Sequence, residues 1–103
     1  MDTNTLKASL KEVLVGYVKP AFNGRTFLTV NPEETWFIVT GVGKTRSGRV
    51  VNTAIIVEIV DNMLIIDRDI NSKPLVNELV AAGVPREQII LAYMGEDVPE
   101  AVP

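Results

Sequence analysis

The stretch that most limits how this chain folds is Val50 to Val60, eleven residues of which eight are Val, Ile or Thr, followed after only Asp61-Asn62 by the apolar run Met63 to Arg68. β-Branched side chains are stiff about their first torsion and fit a pleated surface better than a helix. Two polar residues between apolar runs mark a tight hairpin whose central residues tolerate positive φ. The spacing therefore predicts a long strand that turns at Asp61-Asn62 and returns antiparallel. Strict alternation along it puts Val51, Thr53, Ile55, Val57 and Ile59 on one side, the expected core face, and Val50, Asn52, Ala54, Ile56 and Glu58 on the other.

The flanking segments complete a mixed architecture. Leu6, Leu10, Val13, Leu14 and Tyr17 recur at helical spacing, so residues 4–18 read as an amphipathic helix capped by Asn4 or Thr5 and stopped at Lys19-Pro20. Residues 26–30, the turn Asn31-Pro32-Glu33-Glu34 and the strand Trp36 to Val42 read as another hairpin. After the long hairpin, Ser72 or Lys73 opens a second helix with Pro74 in its first turn. Leu75, Val76, Leu79 and Val80 form its apolar stripe, and Gly83 stands at its left-handed C-terminal end. Val84 to Gln88 makes at most one helical turn before Ile89 to Met94, an apolar run that suggests a strand buried on both faces. The expected fold is α+β: an N-terminal helix on one face of a four-stranded antiparallel meander, then the second helix, the short helical turn and a final strand added to a mixed sheet. The connections within the meander are too short for a parallel crossover. Residues 1–94 read as one domain and 95–103, with Pro99, Pro103, Glu96, Asp97 and Glu100, as a C-terminal tail.

Composition narrows the chemistry. The chain has 103 residues, 47% of them hydrophobic, so it suits a single domain with its own core. Neither Cys nor His occurs, which removes disulfides, thiolate metal sites, nucleophilic cysteine, and the commonest general base and metal ligand. The formal net charge of -3 provides no global field to attract nucleic acid. No apolar run approaches the roughly 20 residues of a membrane span, and Met1-Asp2-Thr3-Asn4 does not begin like a signal peptide. A soluble cytoplasmic protein is expected, and no cofactor.

Three constellations bear on function. Gly41-Val42-Gly43-Lys44-Thr45 imitates a phosphate-binding loop, but the first glycine of that motif falls on Ile38 and a β-branched run follows where a helix is needed. A hairpin loop is the better reading, even though Met63 to Asp67 resembles the magnesium-holding strand of such enzymes. Asp67 and Asp69, two apart on a strand, and Glu58 on its neighbour are candidate metal ligands, a carboxylate set suited to metal-dependent phosphodiester cleavage. The competing reading is that these acids end a strand and precede a helix N-terminus, where negative charge is favourable. Lys44, Arg46 and Arg49 cluster at a hairpin tip near Trp36 and Phe37, a candidate nucleic-acid contact. Trp36 reads as a core or interface anchor.

Several motifs together resemble one family. They are the hairpin ending in Met63-Leu64-Ile65-Ile66-Asp67-Arg68-Asp69, the helix that follows, and residues 77–93 with Glu78, Leu79, Ala82, Gly83, Val84, Pro85, Ile89, Leu91, Ala92 and Tyr93 at motif positions. Arg68-Asp69 matches an Arg-Asp pair in the same place. This pattern resembles the XisI-like proteins, the excision controlling factors of the cyanobacterial fdxN element. Family members commonly carry a Gly-Trp pair, a His after Arg-Val and a His after the last strand; this chain has Gly43-Lys44, Arg49-Val50-Val51 and Tyr93-Met94-Gly95 there, as a divergent member would. The resemblance implies an accessory factor in programmed DNA rearrangement, with a separate site-specific recombinase performing strand exchange and an XisH-like protein as partner. A non-enzymatic interaction module is the leading reading, with a small metal-dependent nuclease and a DNA-binding accessory domain as alternatives. An apolar sheet surface left uncovered by the two helices, with the acidic tail, points to self-association as a homodimer or to a heteromeric XisH-like complex.

Overall fold

Strands rich in β-branched residues pair here in the order in which the chain supplies them. The structure, a computed structural model, describes residues 1–21 and 23–99. Helix α1 (Thr3–Val15) precedes strands β1 (Pro20–Ala21), β2 (Gly24–Val30), β3 (Trp36–Thr45), β4 (Gly48–Val60) and β5 (Met63–Asp69). Helix α2 (Leu75–Ala81), a 3₁₀ turn (Arg86–Gln88), strand β6 (Ile89–Leu91) and a second 3₁₀ turn (Ala92–Met94) follow. The six strands lie in the order β1-β2-β3-β4-β5-β6. Strands β1 to β5 are antiparallel to their neighbours, and β6 joins β5 in parallel after the α2 crossover. This is the expected α+β arrangement, extended by the short edge strand β1.

The long hairpin turns as its sequence requires. Asp61 and Asn62 take φ of 49° and 63°, the left-handed pair whose twist lets β5 return directly along β4. At the β2–β3 turn, Asn31 Oδ1 accepts the backbone N–H groups of Thr35 at 2.8 Å and Trp36 at 2.9 Å. One sheet face is covered by the helices. Leu6, Leu10 and Leu14 of α1 and Leu75 and Leu79 of α2 are fully buried against Phe37, Val39, Ile55, Val57, Leu64 and Ile66. Polar contacts fix α1 on this layer: Lys7 Nζ donates to the Glu33 carbonyl at 3.0 Å, and Lys11 pairs with Glu34. The Asn62 side chain donates to the Met1 carbonyl at 3.0 Å and accepts from the Thr3 hydroxyl at 2.8 Å, tying the N-terminus to the hairpin turn.

Several local expectations are corrected. Helix α1 begins earlier than position 4 because Asp2, rather than Asn4 or Thr5, is its cap, its Oδ1 accepting the Thr5 N–H at 2.8 Å. It ends at Val15, where the Gly16 N–H turns back onto Leu14 and Val13 carbonyls. Helix α2 begins at Leu75 with Pro74 outside it as the cap residue, because its first N–H is taken by Asp69 Oδ2 at 2.7 Å. The last strand stops at Leu91 instead of Met94. The Leu91 N–H donates to Glu96 Oε1 at 2.7 Å, and Gly95 at φ 92° reverses the chain.

The long strand departs from strict alternation. Val39 pairs with Ile55 but Thr40 pairs with Thr53, so Ala54 is an extra residue and a bulge in β4. Residues before it change face: Ile55, Val57 and Ile59 are core, whereas Val51 is 60% exposed. A second bulge lies in β5, where Val57 pairs with Ile66 and Ile56 with Arg68, leaving Asp67 without a partner across the ladder.

Strands β2 and β3 approach unusually closely at Gly24. A Cβ there would fall 2.0 Å from the Val42 carbonyl oxygen and 2.7 Å from Gly43 Cα, both backbone atoms that cannot move aside. Gly24→Ala is expected to lower stability by at least about 2 kcal/mol. Gly43→Ala, with its nearest neighbour the Asn23 carbonyl at 3.6 Å, should change it by less than about 0.5 kcal/mol. Urea midpoints of the two variants check this contrast.

Candidate interaction surface

The helices cover one side of the sheet, and pairing register assigns residues to the other. Phe37 and Val57 are core partners, so their neighbours Trp36 and Glu58, and Ile38 and Ile56, pair on the opposite face. Ile65, opposite Glu58, and Ile90, beside Ile65, extend this second face across β5 and β6. Ile65 is fully buried there, where the 92–94 turn lies beside β5. Toward β2 and β3 the face opens, and Trp36 is 44% exposed on it. Trp36 is thus a surface aromatic and not a core anchor. The outermost strands are the two-residue β1 and the three-residue β6, and because β1 covers only Gly24 and Arg25, β2 from Phe27 to Val30 has no strand on its outer side among the described residues.

At the end of β3 and β4 away from Asp61, the same face becomes cationic. Lys44 pairs directly with Arg49, Arg25 pairs with Val42, and Arg46 occupies the turn. Arg25 is held with its guanidinium 5.1 Å from the centre of the Phe27 ring. Arg25, Lys44 and Arg49 line a groove of about 500 Å³ whose wall includes Gly24 and Gly43. Among the described residues, ion pairs join Lys11 to Glu34, Lys73 to Glu78 and Arg86 to Glu96, and none involves this cluster. Nothing local in the sequence marks Arg25, because only register brings β2 beside Lys44 and the strand of Arg49. The Gly41 to Thr45 segment lies wholly in β3, and the chain passes into β4 without a helix, so no phosphate-wrapping turn forms there.

The candidate acids are not assembled. Asp69 pairs with Ile55 on the helix-covered side, whereas Glu58 pairs with Ile65 on the other. Asp69 is occupied as a cap: Oδ1 accepts the Asn71 N–H at 3.0 Å and its Nδ2 at 2.9 Å, and Oδ2 accepts the Leu75 N–H. Asp67 sits at the β5 bulge with Oδ2 buried and without a hydrogen-bond partner. No group of three or more potential ligands suited to a metal ion occurs among the described residues.

The motif residues have structural work of their own. Arg68 Nε donates to the Thr53 carbonyl at 2.6 Å, holding β4 just before its bulge, while Asp69 starts α2. The Gly83 N–H reaches the Val80 carbonyl at 3.0 Å and the Val84 N–H the Leu79 carbonyl at 3.0 Å, with Gly83 at φ 99°. That is a Schellman cap, closed by burial of Leu79 with Val84 and followed by Pro85. Glu78 pairs with Lys73, and Ala82 is the C-cap. Of the tail acids, Glu96 is engaged with Leu91 and Arg86 of its own chain, Asp97 is exposed, and Glu100 lies outside the described residues. Tyr17 donates its hydroxyl to the Lys73 carbonyl at 2.9 Å, and burial, aided by the negative charges of Asp69 and Glu78, pushes its phenol up to about 12. Tyr93 is also raised, by burial first and then by Asp69 and Glu96.

The chain is thus an α+β domain with one helix-covered sheet face, and its motif residues serve as caps and braces of that fold. The sequence profile described as "XisI protein" matches residues 1–101, and the chain belongs to the XisI family. No curated protein sequence matches it. An XisI-like protein from Anabaena variabilis ATCC 29413 has a similar structure, with TM-score 0.66 and 23% identity over 85% of this chain and 80% of the other. The fdxN element excision controlling factor XisI from the same organism aligns with TM-score 0.69 and 19% identity over 89% of this chain and 93% of its own. At such identities the likeness establishes the fold. No helix among the described residues is long and apolar enough to cross a membrane.

Two measurements probe the braces. Asp69→Ala, which strips partners from two backbone N–H groups, is expected to lower stability by about 1–3 kcal/mol, read from urea unfolding. For Tyr17, the folded phenol titrates above its ordinary 10.0, so the protonated hydroxyl favours the fold. That contribution is complete below pH 10 and disappears as pH rises through about 12. Tyr17→Phe should remove this part of the alkaline loss of stability, measured by unfolding at successive pH values.

Proposed function

We propose that this chain is a non-enzymatic accessory factor of the excision-controlling kind, acting in the cytoplasm through protein–protein contact on the open face of its sheet. The observation that carries the reading is that face: Trp36, Ile38 and Ile56 lie together on the side that α1 and α2 leave uncovered. Contiguous apolar surface of this sort marks interaction sites, and a partly exposed tryptophan is a favoured anchor. Membership of the XisI family supports the accessory role, since the relative from Anabaena variabilis bears the name excision controlling factor.

The occupant of the face is a second copy of the chain. Trp36, Ile38 and Ile56 form one apolar patch on the β3–β4 ladder, and such a patch can meet its own copy about a two-fold axis, as an isologous interface requires. A complex with an XisH-like protein, and through it a site-specific recombinase, is the alternative use of the same surface.

Light scattering tests the reading. The protein at about 100 μM is expected to be dimeric, and Ile38→Lys together with Ile56→Lys to yield a folded monomer. A strict monomer at that concentration, together with failure of an XisH-like protein to co-purify on co-expression, would defeat the proposal. Dependence of a heteromeric complex on the same two residues would instead transfer the surface to that partner.

A further inference from the structure

We propose that the distal end of the β3–β4 hairpin, with Arg25 from β2, is a docking arm for the sugar-phosphate backbone of duplex nucleic acid. The first ground is charge segregation. The chain carries ten Lys or Arg and thirteen Asp or Glu, yet no acid occurs in residues 13–32 or 35–57, the segments that supply Arg25, Lys44, Arg46 and Arg49. An overall anion therefore has one strongly cationic end.

The second ground is that the fold holds these cations together at a cost. Lys44 and Arg49 are directly opposed across the ladder, and like charges so placed destabilise a sheet. Arg25 faces Val42, two residues before Lys44, so it is the diagonal neighbour of Lys44 at about 7–8 Å between backbones, with Arg49 one strand further on. The Phe27 ring fixes Arg25 in this group. A cluster that no carboxylate among the described residues neutralises is stabilised by an external polyanion.

Shape selects the polyanion. The molecule measures 44 × 31 × 27 Å, and its radius of gyration, 14.3 Å, exceeds the roughly 13 Å of a compact domain this long. The hairpin end carries exposed Val50 and Val51, beyond the helical cover. Beyond Gly43, where pairing with β2 ends, Lys44 to Arg49 continues as a two-stranded antiparallel tip, a ribbon shape that fits the major groove of a duplex, with Lys44 on β3, Arg49 on β4 and Arg46 in the turn to meet its phosphates and Arg25 on β2 beside them. The acidic remainder of the chain is repelled by the same duplex, so the field orients the protein with this arm forward. The inference does not depend on the open face being a dimer interface.

Fluorescence anisotropy with a labelled duplex of about 20 base pairs and arbitrary sequence tests it. With four phosphate contacts, affinity should fall roughly 100-fold between 50 and 200 mM salt. The double variant K44Q/R49Q should bind more weakly and lower the salt slope by about two, and R25Q and R46Q by about one each. Lys7→Glu, on α1, should leave binding and slope nearly unchanged, and circular dichroism confirms folding. If the double variant fails to fold, R25Q and R46Q decide the matter by the same slope. Absence of duplex binding at 50 mM salt would overturn the proposal, as would an equal loss in Lys7→Glu. Binding of polyglutamate without binding of duplex would overturn it in favour of an acidic protein surface.

Discussion

Strand β4 is the member on which the rest of the structure depends. It pairs with β3 along one side and β5 along the other, and its alternate residues Ile55, Val57 and Ile59 form the floor on which both helices rest. Because β4 is longer than that helical cover, its first half has no layer above it. The helices are limited to the half near Asp61, where α1 is latched by Asn62 and by the Glu33–Glu34 turn. A domain built this way necessarily has a dry end and a wet end, and the surfaces open to partners lie on the side and end that the helices do not reach.

The two bulges turn this scaffold into something alternation alone does not describe. An extra residue at Ala54 rotates the start of β4, so Val51 and Thr53 leave the core face and join the side bearing Val42 and Lys44. An extra residue at Asp67 does the same in β5, sending Arg68 to the open face while Asp69 turns toward α2. Arg68 then bonds the Thr53 carbonyl beside the first bulge. One arginine thereby braces the second irregularity against the first, which gives the adjacent Arg68-Asp69 pair two different tasks: one residue stitches strands, and the other begins a helix.

Much of this was legible in the residues because local chemistry dictated it. Asp61-Asn62 admits the left-handed hairpin turn, Gly83 accepts the positive φ of a helix end, and helical spacing places Leu6, Leu10 and Leu14 in one stripe. Features set by pairing between distant segments were not legible. Alternation cannot reveal a bulge, because the extra residue is defined by its missing partner across the ladder. Hence strict alternation puts Val51 and Thr53 on the wrong face and does not separate Glu58 from Asp69. The basic cluster is only partly visible in the sequence for the same reason: Lys44, Arg46 and Arg49 are close along the chain, whereas Arg25 reaches them through the β2–β3 register. The end of β6 was lost to a side chain five residues on, Glu96, which takes the Leu91 N–H.

The motif residues also clarify what this fold can dispense with. Leu79, Gly83, Val84 and Pro85 close α2, and Asp69 opens it; together they set the crossover that lays β6 parallel to β5. These tasks concern backbone groups and core packing, so they are independent of the chemistry displayed on the open side of the sheet. The positions where the chain has Gly43-Lys44 and Arg49-Val50-Val51 belong to the uncovered hairpin end, where side chains meet solvent and exert little influence on the core. Side chains there can vary without disturbing the scaffold, and in this chain Lys44 and Arg49 give that end a permanent cationic field. The fold and the character of its exposed end are thus controlled by separate sets of residues, which is how one framework can retain its helices and sheet while its recognition chemistry changes.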